Sequence, residues 1–362
     1  MEVLQEIDEA FTIDPDIDEI GLTYDPPSSS SHTVLIDHKL GIYAKSLKKL
    51  FKYASGELRK HVTSAAEHAM NLSAEDLHRL TRAVLIVRGD NPMALHLRKK
   101  LLDRQMLPLP AEISLLDMIF LLHPKSPSCW EHRRWILSRL HPHELSPSVV
   151  DREFQLCSNM ADRYPRNYYA WIHRIWLLRK ADSVSVREDE RRLVREWIRL
   201  HPSDHSAVSY QLLLISEERS TDANAAWESI RTELAANGAL LSLYAEHESL
   251  WLQRRYLLLV YLPHITDSTP DITSLSERIT ELVHAIDDSD RPHQIPAPEA
   301  YLSTPAKEEL LRGEVTLCIS HVSSKPVGEQ RRRISKLCLR YLLYLLMKVS
   351  LHITSKKCKY CV

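Results

Sequence analysis

One skeleton of Pro, Trp, Arg and a second aromatic recurs along this chain, and its period constrains the fold more than any other feature. In two copies Trp follows a Pro by six residues, Arg follows that Trp by three, and a second Trp comes two later. These are Pro124, Trp130, Arg133 and Trp135, then Pro165, Trp171, Arg174 and Trp176. A third copy lacks the Pro but keeps Trp251, Arg254 and the aromatic Tyr256. A fourth is degraded: Pro202 is followed by Val208, Gln211 and Leu213 in the Trp, Arg and aromatic slots. A fifth, with a shortened lead-in, has Pro92, Leu95 and Arg98. The anchors at 95, 130, 171, 208 and 251 are separated by 35, 41, 37 and 43 residues. A unit of that length, repeated, predicts stacked helical hairpins.

The spacing within a unit has a physical reason. On a helix advancing about 100° per residue, Arg133 and Leu137 fall within roughly 60° of Trp130, and Trp135 lies about 140° away. Such a helix is expected to bury two faces, as an inner helix with neighbours on both sides must. The Pro ahead of each unit disfavours helix in the residue before it and ends the preceding helix. Arg beside a buried Trp can stack on the ring and donate to carbonyls of the adjoining hairpin. His132 and His173, each two residues after a Trp, occupy repeat positions and read as structural.

Composition supports this reading. Only 7 of 362 residues are Gly, Leu, Arg and Glu are abundant, and no segment alternates strongly, which argues for an all-α chain. A net charge of −1 gives no bulk attraction to nucleic acid. The charge is unevenly spread: residues 1–31 hold nine acids and no Lys or Arg, whereas residues 331–362 hold nine Lys or Arg and no acid. The 6 Cys are scattered, no signal peptide opens the chain, and the apolar run Tyr341–Met347 is too short to span a bilayer. A cytoplasmic protein with no transmembrane segment is expected.

In chain order, an acidic and partly ordered N-terminal arm is expected over 1–31, with helical patterning from Val34 through Lys52. Ser73 and Asp76 supply a helix N-cap and a first-turn acid. Repeat hairpins occupy 32–262, with outer helices at Ala111–Leu122, Pro147–Arg163, Val186–Leu200 and Asp222–Ala236. Pro147 suits a first helical turn after Ser146, and Gly238 a C-terminal cap. Over 263–362, helices are expected at Asp271–Ile286 and Ala306–Ser320 around a Pro-rich connector, then a basic helix at Gln330–Leu351. That last helix could seal the array with its apolar face, or lie on an anionic membrane through Arg331, Arg332, Arg333 and Lys336.

These repeats resemble those of the protein prenyltransferase alpha subunits. The residues that carry the likeness are Pro165, Asn167, Tyr168, Ala170, Trp171 and Arg174, with the matching order around 130 and 251. Residues Asp16–Leu22 and Lys39–Gly41 narrow the likeness to one branch of that family, away from the farnesyltransferase alpha subunit. The resemblance implies a right-handed α-α superhelix, a solenoid of helical hairpins wrapped around a beta subunit of α-α barrel type. It implies a heterodimeric enzyme, inactive as this chain alone, that transfers an isoprenoid to a Cys near the C-terminus of a protein substrate. The beta subunit would be of the Rab geranylgeranyltransferase type, giving a type III geranylgeranyltransferase that uses geranylgeranyl diphosphate. Zinc and its ligands would belong to the beta subunit, leaving no cofactor and no metal in this chain.

The residues themselves offer no set for stand-alone catalysis. There is no phosphate-cradling Gly loop, no His-Glu-x-x-His, and Cys358 and Cys361 form a single pair rather than a closed zinc set. The fourth residue from the end is Lys359, so the terminus is not itself a prenylation acceptor of the usual kind. By resemblance Lys125 is the catalytic candidate, occupying the position of a Lys that reaches the isoprenoid diphosphate. An ammonium there offsets charge building on the leaving group. The family's Asn-Tyr after that Lys is replaced by Ser126-Pro127, whereas Arg166, Tyr168 and Tyr169 of the next unit match and are expected to face partner or substrate. The alternative is a non-catalytic helical-repeat scaffold for protein–protein interaction.

Overall fold

Short polar residues set where four of the inner helices begin. Four residues ahead of the first four anchors stand Asn91, Ser126, Asn167 and Asp204, and each side-chain oxygen accepts from a backbone N–H in the first turn that follows. A computed structural model describes residues 1–24, 31–64, 72–140, 146–221 and 223–261, with separate positions between 313 and 344. The chain divides into two compact units, Met1–Ala181 and Asp182–Val362.

The first unit contains α1 (Glu2–Ile13), β1 (Glu19–Thr23), β2 (Thr33–Ile36), β3 (Lys39–Tyr43), α2 (Ala44–Ser64) and α3 (Ala74–Val87). It continues with α4 (Pro92–Asp103), α5 (Leu109–Leu122), α6 (Pro127–Leu137), α7 (Pro147–Arg163) and α8 (Tyr168–Ala181). The inner helices α4, α6 and α8 lie side by side, and α3, α5 and α7 are their outer partners. Trp130 is wholly buried, stacked on Phe120 of α5 at 4.1 Å between ring centroids, with His173 at 5.1 Å. The second unit contains α9 (Val184–Leu200), α10 (His205–Thr221), α11 (Ala223–Tyr244) and α12 (Glu248–Tyr261), with Trp251 buried beside Tyr341. The expected all-α helical repeat fold stands. The outer helix at Pro147–Arg163 is bounded as the sequence predicts, and Pro147 sits in its first turn.

One expectation is sharpened and three are corrected. The partly ordered acidic arm is folded over residues 1–24: α1 buries Val3, Leu4, Ile7 and Ala10, and its Asp8 accepts from Arg79 Nε at 2.5 Å and Arg82 Nη2 at 2.7 Å. Acidity there signals pairing with α3. Val34 begins no helix but lies in a three-stranded sheet of order β1-β3-β2, with β1 parallel and β2 antiparallel to β3. Asp37 and His38 turn the hairpin at positive φ, with His38 held at 2.9 Å by Asp14. Gly238 is no cap but lies inside α11, which continues to Tyr244 because Asn237 and Leu241 are buried. Trp135 and Trp176 are only half-buried, so the inner helices bury one face fully and not two. Trp135 is instead flanked by His132 and by the cations Lys99 and Arg139.

Towards the end of the second unit, positions 333–338 and 340–342 are helical. Ile334, Leu337, Cys338, Tyr341 and Leu342 are buried, and Arg333, Lys336 and Arg340 are exposed. The apolar side of this stretch is thus covered by the chain itself, as sealing the array requires and a membrane-lying helix does not. The expectations for Asp271–Ile286, for most of Ala306–Ser320 and for Cys358 and Cys361 lie outside the described residues.

Candidate functional site

The helices α5, α7, α9 and α11 each carry one buried carboxylate, and those of α5 and α7 sit where two inner helices meet. Glu112 of α5 accepts from Arg98 Nε of α4 at 2.8 Å and pairs with His132 Nε2 of α6 at 2.9 Å. Glu153 of α7 repeats the arrangement, with Arg133 Nε of α6 at 2.7 Å and His173 Nε2 of α8 at 3.0 Å. Arg133 is further held by Asp117 at 2.7 Å. In the second unit Tyr210 donates to Glu190 at 2.5 Å, Gln211 to Glu233 at 2.8 Å, and Arg254 Nε and Tyr341 to Glu314 at 2.6 and 2.7 Å. At Glu112 and Glu153 the Arg three residues after one anchor and the His two residues after the next therefore share one carboxylate.

The charges are mutually dependent. Burial by itself would raise the Glu112 carboxyl, but the Arg98 charge and the hydrogen bond from His132 outweigh it and hold the group at about 2. Glu153 is held at about 2 in the same way by Arg133 and His173. Burial pushes His173 below its ordinary value against the pull of Glu153, which keeps the ring neutral and donating from Nε2. The repeat Arg residues do donate to carbonyls, Arg133 to Ile113 at 3.3 Å and Arg174 to Phe154 at 3.2 Å, but for Arg133 the Glu153 carboxylate is the nearer partner at 2.7 Å. Sequence reasoning missed these acids, although a spacing marks them: Glu112, Glu153, Glu190 and Glu233 each precede an anchor by eighteen residues (112 to 130, 153 to 171, 190 to 208, 233 to 251).

The ladder holds the inner helices; the turns that open them carry the exposed chemistry. The turns before α4, α6 and α8 are stitched to one another. Asp90 accepts from Ser126 Oγ at 2.5 Å, and Cys129 Sγ donates to the Gly89 carbonyl at 3.2 Å. A Cβ at Gly89 would meet that of His123 at 2.9 Å, so this turn requires glycine for close approach. The Pro124 carbonyl accepts from both Trp130 Nε1 and Asn167 Nδ2, each at 2.9 Å. Tyr164 donates to the Leu121 carbonyl at 2.7 Å.

Lys125 is exposed on this edge, its Nζ donating to the Pro165 carbonyl at 3.1 Å. Arg166, also exposed, takes the same place one turn on, each cation standing directly before the N-cap residue of an inner helix. Arg166 adopts φ +59°, a left-handed conformation a non-glycine residue adopts at a cost, which the stitched turns maintain. Tyr168 is 56% exposed and meets the half-buried Tyr169 edge-on at 5.6 Å. The structure thus gathers Arg166, Tyr168 and Tyr169 beside the Lys125 turn. Trp130, Arg133, Trp171, Arg174, Trp251 and Arg254 are buried in the helix packing. Pro127 stands where α8 has Tyr168, so α6 presents no aromatic there. Two cations beside two helix N-termini can hold an anion bearing several oxygens. Among the described residues, no three His, Cys, Asp or Glu side chains gather as a metal site, and no helix is long and apolar enough to cross a membrane.

The pattern of the protein prenyltransferase alpha subunit repeat matches residues 109–140 and 150–181, the hairpins α5–α6 and α7–α8 with their Glu-Arg-His rungs. The chain is 30% identical over 313 residues to protein prenyltransferase alpha subunit repeat-containing protein 1 of Danio rerio, covering 72% of each chain. The Homo sapiens protein of the same name is 27% identical over 329 residues, 76% of this chain and 80% of that one. A shorter match, 32% over 78 residues, joins 22% of this chain to 13% of the geranylgeranyl transferase type-2 subunit alpha of Rattus norvegicus. With the repeat pattern in the hairpins that carry the ladder and a relative matched over most of both chains, this chain belongs to the protein prenyltransferase alpha subunit repeat family.

Proposed function

We propose that the chain is the alpha-type subunit of a heterodimeric protein prenyltransferase, of the type III geranylgeranyltransferase kind. The observation that carries this reading is Lys125: an exposed ammonium on the turn opening α6, steadied by the Pro165 carbonyl, with Arg166 in the same place one repeat on. The partial match to a geranylgeranyl transferase type-2 subunit alpha supports the same direction.

In the proposed complex a Cys near the substrate's C-terminus attacks the first carbon of the isoprenoid as its thiolate. The carbon–sulfur bond forms as the carbon–oxygen bond to diphosphate breaks, and the electron pair leaves on the diphosphate. The zinc that lowers the acceptor thiol's pKa belongs to the beta subunit, of Rab geranylgeranyltransferase type, as do most of the diphosphate contacts. Lys125 places one fixed positive charge where the leaving oxygens become more negative, and Arg166, Tyr168 and Tyr169 border the same edge for partner or substrate. Preorganisation comes from the stitched turns and the ladder beneath them, which hold the Lys125 backbone before any ligand arrives.

Co-expression with a Rab geranylgeranyltransferase-type beta subunit tests this directly. A 1:1 complex that transfers geranylgeranyl to a Cys-terminated protein is expected. In that complex Lys125→Ala should leave assembly intact and slow transfer by on the order of 10- to 1000-fold. Co-purification without transfer would favour the scaffold reading, and unchanged turnover in Lys125→Ala would remove this residue from the mechanism.

A further inference from the structure

The helix α2 carries a second charged surface that the repeat function does not use. Its inward face is fully buried at Leu50, Ala54 and Leu58. On the outward face stand Lys45, Lys48, Lys49, Lys52, Arg59 and Lys60, all exposed. At about 100° per residue these six fall within an arc of roughly 120°. From Lys45 to Lys60 the row is about 22 Å long at about 1.5 Å rise per residue. The one acid in α2, Glu57, is taken by Lys60 at 2.7 Å. Two acids on the neighbouring α1 are also engaged: Glu6 accepts from the His32 and Thr33 backbones at 2.7 and 3.0 Å, and Asp8 holds Arg79 and Arg82. Glu2 and Glu9 of α1 and Glu75 of α3 are exposed, and among the described residues no ion pair engages Lys45, Lys48, Lys49, Lys52 or Arg59.

A row of like charges on one face of a helix costs self-repulsion and returns nothing to folding. Its composition indicates the occupant. Five of the six cations are Lys, compact point charges without the fork that reads a particular carboxylate or phosphate pair, which suits a diffuse negative surface. Gly56 lies within the same arc, and a Cβ there would meet nothing within 4 Å, so packing in the fold does not require it and the helix backbone is open to close approach. Tyr53, 39% exposed, and Val62, 48% exposed, flank the row with apolar surface. We infer that α2 is a docking face for an anionic lipid surface, on which the Lys row meets headgroups and Tyr53 and Val62 settle at the interface. This inference does not depend on the transferase reading.

The test is flotation of the full chain with vesicles of phosphatidylcholine alone and with about 30% phosphatidylserine, both at low salt. Binding to the anionic vesicles only is expected, falling as ionic strength rises and the Debye length shrinks from about 10 Å at 0.1 M. K48E/K49E/K52E should abolish it, and K48Q/K49Q/K52Q should weaken it by roughly fivefold per Lys, on the order of 100-fold together. The neutral variant also gives a reading should the reversed charges disturb folding, with the thermal unfolding midpoint as the check. Vesicle binding that survives K48Q/K49Q/K52Q would move the attraction elsewhere, such as to the basic residues after 331, and overturn the inference. Equal binding to both vesicle types would overturn it too, as would capture of poly-glutamate without any binding to anionic vesicles.

Discussion

The two units use the same carboxylate ladder with different donors. In the first, Glu112 and Glu153 each meet an Arg and a His, with all partners buried. In the second, Gln211 takes the Arg place and donates to Glu233, while the charge comes from Arg195, a half-exposed residue of α9, at 2.8 Å. Tyr210 and Tyr341 take the His place at Glu190 and Glu314. Gln253, two residues after Trp251, reaches Glu233 only through Gln211. The unit around Val208 and Gln211 looks degraded as a sequence, yet its carboxylate is satisfied by a substitute set. What the architecture demands at each rung is the buried acceptor; the donors can be exchanged as long as the sum of charge and hydrogen bonds is kept.

Acid should separate the ladder from ordinary surface pairs by the largest margin. Glu112 and Glu153 sit at about 2, below their ordinary 4.5, so their stabilisation is complete above pH 4.5 and is lost as pH falls towards 2. At about 1.4 kcal/mol per pKa unit this is on the order of 3 kcal/mol for each carboxyl. His173 acts in the same direction at higher pH: its value is lowered in the fold, so below 6.5 the unfolded chain gains a proton that the folded one refuses. Thermal melts from pH 7 to 2.5, with hydrogen exchange reporting α4, α6 and α8, should show α6 and α8 loosening early. Exchange that is flat across this range would remove the ladder as a stabilising device.

Next in size is Glu112→Gln, which strands the Arg98 charge in a fully buried site and should cost about 3–5 kcal/mol. The matching Glu233→Gln should cost only about 1–2 kcal/mol, because Arg195 can turn to water and Gln211 can still hydrogen-bond an amide. Denaturant titrations of the two variants sharpen the comparison, and equal losses would break it. The smallest effect belongs to Gly238→Ala. A Cβ there meets only Arg254 Nη1 at 3.5 Å, an ordinary contact, and helix propensity should then add up to about 1 kcal/mol. A loss of stability would mean that the guanidinium needs the space.

Much of the fold was legible because the repeat is written in large side chains. Trp and Arg at fixed offsets, with Pro ahead, marked the inner helices, and Pro147 and Ser73 marked helix starts by local chemistry alone. The small sheet was not legible: its strands are four or five residues long, and its hairpin turns on Asp37-His38 rather than on a Gly pair. Gly238 misled because a Gly late in a helical stretch reads as a stop, whereas packing against α12 carries the helix on. Of the candidate site, Lys125 was named through the resemblance. Its tie to the Pro165 carbonyl and its alignment with Arg166 depend on how successive turns stack.

By itself the sequence determined the helical repeats, their period and the identity of their anchors, since these rest on residue type and on spacing within one helix. Only the tertiary structure decided which acid answers which Arg and His, because each rung joins three helices across 14 to 60 residues of chain. It likewise decided that the first acidic residues are part of the core, since a carboxylate is a tail or a keystone according to the guanidinium it meets.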